Sequence, residues 1–200
     1  MYVLWLLLTL AAPAVAQDES LARQILEEIN LARNNPQVYV DYLREFRSRF
    51  QGASYTDFGS RDRVLTSEGV AAVDEAIRFL TRQKTLPPLI WSRGLGAAAS
   101  ELVREQGKSG TTGHGERGDM RRRIERQGTW GGRIAENIVY GPTDARAMVL
   151  QLIVDDGVPG RGHRKNQFNP VFGTAEVACG PHPRFGTMCS IDFAGTFREQ

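Results

Sequence analysis

Two hundred residues, about two fifths of them hydrophobic, suffice for one globular domain with a sizeable core. Ordinary aromatic and charged fractions exclude a disordered or fibrous chain. A formal net charge of +2 is too small for a protein whose work is coating nucleic acid, so no nucleic-acid partner is expected.

Met1 to Leu10 is almost entirely apolar, and Ala14-Val15-Ala16 follows as an A-x-A-like cleavage site. Residues 1–16 therefore read as a cleaved signal peptide and residues 17–200 as a single domain, secreted to an extracellular or periplasmic space. The rival reading, an uncleaved anchor, needs a longer apolar run than this one.

Helices are expected through the first half. Leu21, Ile25, Leu26 and Ile29 recur at helical spacing until Asn34-Asn35-Pro36 breaks the pattern. A second helix carries Val38, Tyr42, Leu43 and Phe46 from Pro36 to about Phe50. Residues 51–66 are polar and Gly-containing and read as a loop. Val70, Val73, Ile77 and Leu80 mark a third helix, ended before Pro87-Pro88. Ser92 is placed to N-cap a fourth, with Leu95, Ala98, Ala99, Leu102 and Val103 on its face.

Past residue 128 the texture changes. Ile134 to Tyr140 reads as a strand, and Thr143 caps a helix from Ala145 to Val154 that is apolar nearly all round and so buried on more than one side. Val171–Cys179 and Thr187–Ala194 read as an antiparallel pair around a loop containing Pro181, Pro183 and Gly186. Cys179 and Cys189 are the two cysteines of the chain, and export makes a disulfide between them the expectation. Early helices and late strands indicate an α+β domain with helices packed on a small sheet.

Three ionisable residues sit in glycine-rich or apolar settings. His114 lies between Gly113 and Gly115, Glu136 lies inside Ile134-Ala135-Glu136-Asn137-Ile138, and His163 lies in Gly160-Arg161-Gly162-His163-Arg164-Lys165-Asn166. A buried carboxylate needs a partner, and two histidines supply one, either protonated or bridged by a divalent metal. His182, in its Pro-flanked loop, reads as exposed. Arg121, Arg122 and Arg123 form a basic run that reads as an anionic-surface contact or as the solvated face of a short helix. Several familiar signatures fail: Gly107-Lys108-Ser109 lacks the rest of a P-loop, and neither HExxH nor GxSxG occurs.

Taken together, four segments resemble the CAP superfamily, in its bacterial-like SCP-domain branch. Ala135-Glu136-Asn137-Ile138 is similar to its Gly-Glu-Asn-Ile motif, and Gly162-His163-Arg164-Lys165-Asn166 to its Gly-His-Arg-x-Asn run. Asn30 and Arg33 match the Asn-x-x-Arg of its first helix, and Pro88-Leu89-Ile90-Trp91-Ser92 resembles the entry to its central helix. The resemblance runs over roughly residues 20–195 and implies a three-layer α-β-α sandwich with a small antiparallel sheet. It also implies a cleft with two His and two acidic residues, the His pair (His114 and His163) binding Zn2+ or another divalent metal. Glu136 would be one acidic member. The other, normally Glu in Trp-x-x-Glu, falls on Asp155 in Leu152-Ile153-Val154-Asp155, with Asp156 as its rival. The function implied is a secreted binding module for a metal and a lipid or peptide ligand. The alternative is a metal-dependent hydrolase with Glu136 or Asp155 as general base.

Overall fold

The computed structural model describes residues 14–57 and 62–200, with side chains from Glu19 onward. The apolar run of the expected signal peptide lies outside the described residues.

The expected helices form, each with an identifiable local cause. Helix α1 (Ala14–Asn34) stops before Pro36, which opens α2 (Pro36–Ser48) at its first turn, where a missing N–H costs nothing. Helix α3 spans Val70–Arg82. Helix α4 (Arg93–Ser109) is capped as expected, Leu95 N donating to Ser92 Oγ at 3.3 Å, and ends at left-handed Gly110. A fifth helix, α5 (Asp119–Gln127), carries the basic run. Helix α6 (Ala145–Val154) buries seven of its ten residues, in line with its apolar sequence, but its N-cap is Asp144 rather than Thr143. Ala147 N donates to Asp144 Oδ1 at 2.8 Å, and a carboxylate at that end also favours the helix dipole. A short α7 (Gly162–Gln167) follows.

The main sheet has the order β4-β6-β7-β5, with β4 at Ile90–Trp91, β5 at Gly128–Tyr140, β6 at Thr174–His182 and β7 at Gly186–Glu199. Its three long strands are antiparallel as expected, whereas the two-residue β4 joins β6 in parallel. Cys179 and Cys189 face each other in the β6–β7 register and are disulfide-bonded. The stretch 51–66, expected as a loop, instead contributes to a second sheet of three short strands: β1 (Phe50–Gln51), β2 (Ser54–Thr56) and β3 (Arg63–Leu65). Strands of two or three residues are too short to show alternation. Tyr55 pins this sheet by edge-on packing against Phe46 of α2, centroids 4.7 Å apart.

Strand alternation divides the core into layers. Val139, Val177, Cys189, Ile191 and Phe193 face one way, into the main apolar cluster with α1, α2, α3 and α6. Ile138, Ala178, Met188 and Ala194 face the other way, toward α4 and α5. The result is helices, sheet, helices, the three-layer arrangement expected. Strand β5 is an outer strand of the main sheet, and its residues Glu136 and Asn137 therefore look out on opposite faces at that edge.

Candidate functional site

Four segments meet at the β5 edge. Glu136 faces the α4/α5 side, and its side chain is fully buried. Its Oε1 bonds His114 Nδ1 at 2.8 Å, while its Oε2 accepts from Arg123 at 2.5 Å and from Ser190 Oγ at 3.3 Å. Burial alone would push this carboxyl up. The His114 bond and the Arg123 charge outweigh it and hold the group below the usual carboxylate range.

His114 reaches Glu136 because its loop turns sharply. Gly113 and Gly115 take φ of 92° and 76°, a region that side chains with Cβ avoid. The loop is fastened by Gly113 N donating to Tyr140 Oη at 3.0 Å and by Gln106 Nε2 donating to Gly113 O at 2.5 Å. Over half of the His114 side chain remains exposed.

On the opposite face of β5, His163 is held just as firmly. Its Nδ1 bonds Asp155 Oδ1 at 2.7 Å, and its backbone N donates to Asp155 Oδ2 at 2.9 Å. Asn137 Nδ2 donates to His163 O at 3.0 Å, and Asn166 Nδ2 donates to Asn137 Oδ1 at 2.8 Å. The segments around Glu136 and His163, separate in sequence, thus interlock through their asparagines. Between the two acidic candidates the geometry chooses Asp155. Asp156 instead accepts from Ser67 N and Glu68 N, tying the second sheet to the end of α6.

The expected site residues therefore form two His–carboxylate pairs, His114–Glu136 and His163–Asp155, set by adjacent residues of one outer strand. Among the described residues, no group of three or more His, Cys, Asp or Glu is placed to hold a metal ion. Each imidazole engages its carboxylate through Nδ1, and neither Nε2 has a protein partner among the described residues. With Nδ1–H donated to the carboxylate, the lone pair of a neutral ring would lie on Nε2, the form in which imidazole binds a metal.

Two expectations are corrected. Arg123 is not part of a surface patch with Arg121 and Arg122, because the amphipathic turn of α5 points it inward and leaves it 4% exposed. Its exposed neighbours pair locally, Arg121 with Glu125 and Arg122 with Asp119. His182 is likewise buried, not exposed. Its Nε2 donates to Thr111 O at 3.0 Å, its Nδ1 accepts from Arg184 N, and its ring packs on Tyr140 and Phe185. The segment after α4 and Tyr140 of β5 cover the ring, which composition alone does not reveal.

Other features escaped the sequence. Arg123 and Ser190 complete the Glu136 site, with apolar or polar neighbours that gave no signal. Arg33 is buried and donates to four carbonyls, those of Pro87, Gln167, Asn169 and Phe172, while Asn30 pairs with both N and O of Leu89. These two residues of the first helix are thus structural clasps. Beside His163, a cavity of about 230 Å3 opens between the second sheet, α6 and β5. Phe46, Phe50, Tyr55, Val64, Val139 and Leu150 line it, and Asp155 and His163 form part of its wall.

No family model matches the chain, and no curated protein does. Two solved structures are similar to it. One is an extracellular protein containing an SCP domain from Bacillus anthracis, 18% identical over 62% of this chain and 37% of that one, with a TM-score of 0.43. The other is a cysteine-rich secretory protein from Staphylococcus aureus, 16% identical over 64% of this chain and 38% of that one, with a TM-score of 0.44. The match spans under two fifths of the length of either structure.

Proposed function

We propose that this chain is a secreted binding module of the SCP type, whose two His–carboxylate pairs hold a divalent metal beside an apolar ligand pocket. The observation that carries the reading is the pair geometry: each Nδ1 is fixed by a buried carboxylate, which leaves each Nε2 free and oriented. Because β5 is an outer strand, His114 and His163 would be the ligands across its free edge, each from its own face, with Glu136 and Asp155 behind them as the acceptors that set tautomer and ring plane. When bound, a zinc-like ion would supply Lewis acidity and an open coordination position. Two protein ligands make a weaker site than the three or four of a lasting zinc centre.

The cavity narrows the ligand class. At about 230 Å3 it falls below the range of drug-sized ligand pockets, which begin near ~300 Å3. It suits a compact apolar group, such as one aromatic side chain of a peptide or the end of an acyl chain. No helix among the described residues is long and apolar enough to cross a membrane, which is compatible with export.

The hydrolase alternative would use Glu136 or Asp155 as general base. Both carboxylates are already engaged: Glu136 by His114, Arg123 and Ser190, Asp155 by the His163 ring and backbone and by Arg164 N. Their occupied lone pairs suit orientation better than proton abstraction, and this favours binding over hydrolysis.

Calorimetry with zinc tests the reading. Because imidazole binds metal when neutral, affinity should fall steeply between pH 7.5 and pH 5.5, across the ordinary histidine range near ~6.5. His114→Ala and His163→Ala should each remove most binding. Unchanged affinity in either variant would place the metal elsewhere.

A further inference from the structure

We propose that Asp192 is a buried carboxylic acid that keeps its proton at neutral pH, donates it to Glu136, and so acts as a positioning residue for His114. The protonation stands on the structure alone. Only the positioning role rests on the reading of His114–Glu136 as a working pair.

Asp192 lies on β7 with no exposed surface. Its register partners are both acidic, Glu136 on β5 and Glu176 on β6, so three carboxyl groups form a row across one face of the sheet. Directly opposed side chains on neighbouring strands approach within ~5.5 Å at Cβ. Among the described residues, no donor reaches either oxygen of Asp192. The α4 face above this side of the sheet offers Leu95, Ala98, Ala99 and Leu102, all apolar. The charged or titratable groups around the row are Glu136, Glu176, Arg123 from α5, Arg23 from α1 beside Glu176, Tyr140 further along β5, and His114 behind Glu136.

The charges decide where the proton sits. Among the described residues, Arg123 is the one buried cation that reaches this row, and it spends its bond on Glu136 Oε2. Glu136 is thereby neutralised, and a second anion at Asp192 would be buried with no donor and a like charge opposite it. Such a group takes up a proton rather than remain ionised. Burial first, and the Glu136 charge second, push the Asp192 carboxyl well above the carboxylate range. The same logic at half-buried Glu176 gives a carboxyl raised to about 7, by burial first.

One proton gives one of the two orphaned oxygens a partner and leaves the other as a neutral carbonyl, cheaper to bury than a charge. An ionised carboxylate offers about four lone-pair sites. His114, Arg123 and Ser190 fill three of those on Glu136, and an Asp192 hydroxyl fills the fourth. The anion–anion contact becomes a charge-assisted O–H···O bond. Glu136 is then fixed from every side, and its Oε1 stays aimed at His114 Nδ1.

Infrared spectroscopy of the metal-free full chain reads the proton directly. In a Glu176→Gln background, where Glu176 contributes no acid band, a protonated-carboxyl C=O band should be present at pH 7 to 8, shift in D2O, and vanish on adding Asp192→Asn. Its absence from the folded Glu176→Gln protein would overturn the proposal. Nitrogen NMR of His114 reads the positioning. Asp192→Asn, whose amide still donates to Glu136, should keep the Nδ1–H tautomer, whereas Asp192→Leu, of similar size and without a donor, should mix the tautomers. A wild-type tautomer in Asp192→Leu, or a lost one in Asp192→Asn, would overturn the positioning role. If the Leu variant fails to fold, the band and the Asn variant still decide. A failure to bind zinc leaves all these results intact, so the two readings fail separately.

Discussion

Replacing Arg123 with Met should destabilise the protein by about 3–4 kcal/mol at pH 7, and by far less at pH 5. Arg123 and Glu136 have side-chain exposures of 5% and 0%, so removing the cation strands a carboxylate where water cannot compensate. Breaking such a pair typically costs about 3–5 kcal/mol. The loss has a ceiling, because Glu136 can escape by binding a proton. Doing so at pH 7 from an unfolded pKa near ~4.3 costs about 4 kcal/mol at ~1.36 per unit, and at pH 5 only about 1. The signs differ between the two proteins. In the wild type the Glu136 pKa is lowered on folding, so its contribution is present above the unfolded pKa and lost as pH falls through the folded one. In Arg123→Met the folded pKa rises, so stability is lost as pH increases above ~4.3. Urea unfolding at pH 5, 6, 7 and 8 should therefore show a gap between the proteins that widens with pH. Adding Glu136→Gln should recover much of it, since the two positions act on one interaction. A penalty below about 1 kcal/mol that does not vary with pH is what an exposed pair gives, and that result would refute the assignment of Arg123 to the buried site.

Arg122→Ala, by contrast, should shift stability by less than about 1 kcal/mol in the same assay, because its Asp119 pair is exposed and close in sequence. Removing the Cys179–Cys189 bond by Ala substitution at both positions should cost about 2–3 kcal/mol by calorimetric unfolding, as expected for a short closed loop. Arg33→Ala should cost about 3 kcal/mol or more, because four carbonyls lose their donor and two of those bonds are buried. Glu176→Gln should stabilise the protein above pH 7, where the wild-type residue is forced to ionise. A folded carboxyl near pH 7 binds its proton across the range where the unfolded one has lost it, so wild-type stability falls as pH rises from ~4.3 toward about 7. A wild-type pH profile already as flat as that of the variant would contradict this.

How much of the molecule was legible depends on which link a residue serves. Helices α1, α3 and α4 announce themselves through apolar spacing, α4 also through its cap, because each packs an amphipathic face on one or other side of the sheet, and α6 announces itself as an apolar run buried on most sides. Strands β1, β2 and β3 were invisible, since their stability comes from Phe46, Phe50 and Tyr55 packing together and not from any pattern within them. Of the site, His114, Glu136 and His163 were legible because ionisable residues in glycine-rich or apolar stretches stand out, whereas Asp155 came only through the resemblance, with Asp156 as its rival. Arg123 and Asp192 were not. Arg123 sits among exposed arginines of like composition, and Asp192 reads as one polar residue in an alternating strand. Their roles exist only across the sheet register and the α5 contact.

The reach of the Asp155 carboxylate follows from the backbone around it. Asp155 is the C-cap of α6, in the left-handed conformation at φ 57° and ψ 43°, with its N–H still bonded to Gln151 O. From there the chain turns through Gly157 and Gly160 and returns at His163, close enough for the Asp155 carboxylate to accept both the His163 amide and its ring. Arg164 holds the return in place by donating to Ile153 O and Val154 O, the last carbonyls of α6, and to Glu75 of α3. A shorter carboxylate therefore suffices because the helix end brings its own backbone to the histidine. Lengthening it should then be harmful: Asp155→Glu would push the ring away or break the amide bond. Histidine NMR should show His163 losing its Nδ1–H tautomer in that variant while His114 keeps its own, since the two pairs occupy opposite faces of β5. An unaltered His163 in Asp155→Glu would mean that the helix end, and not the carboxylate, sets the ring.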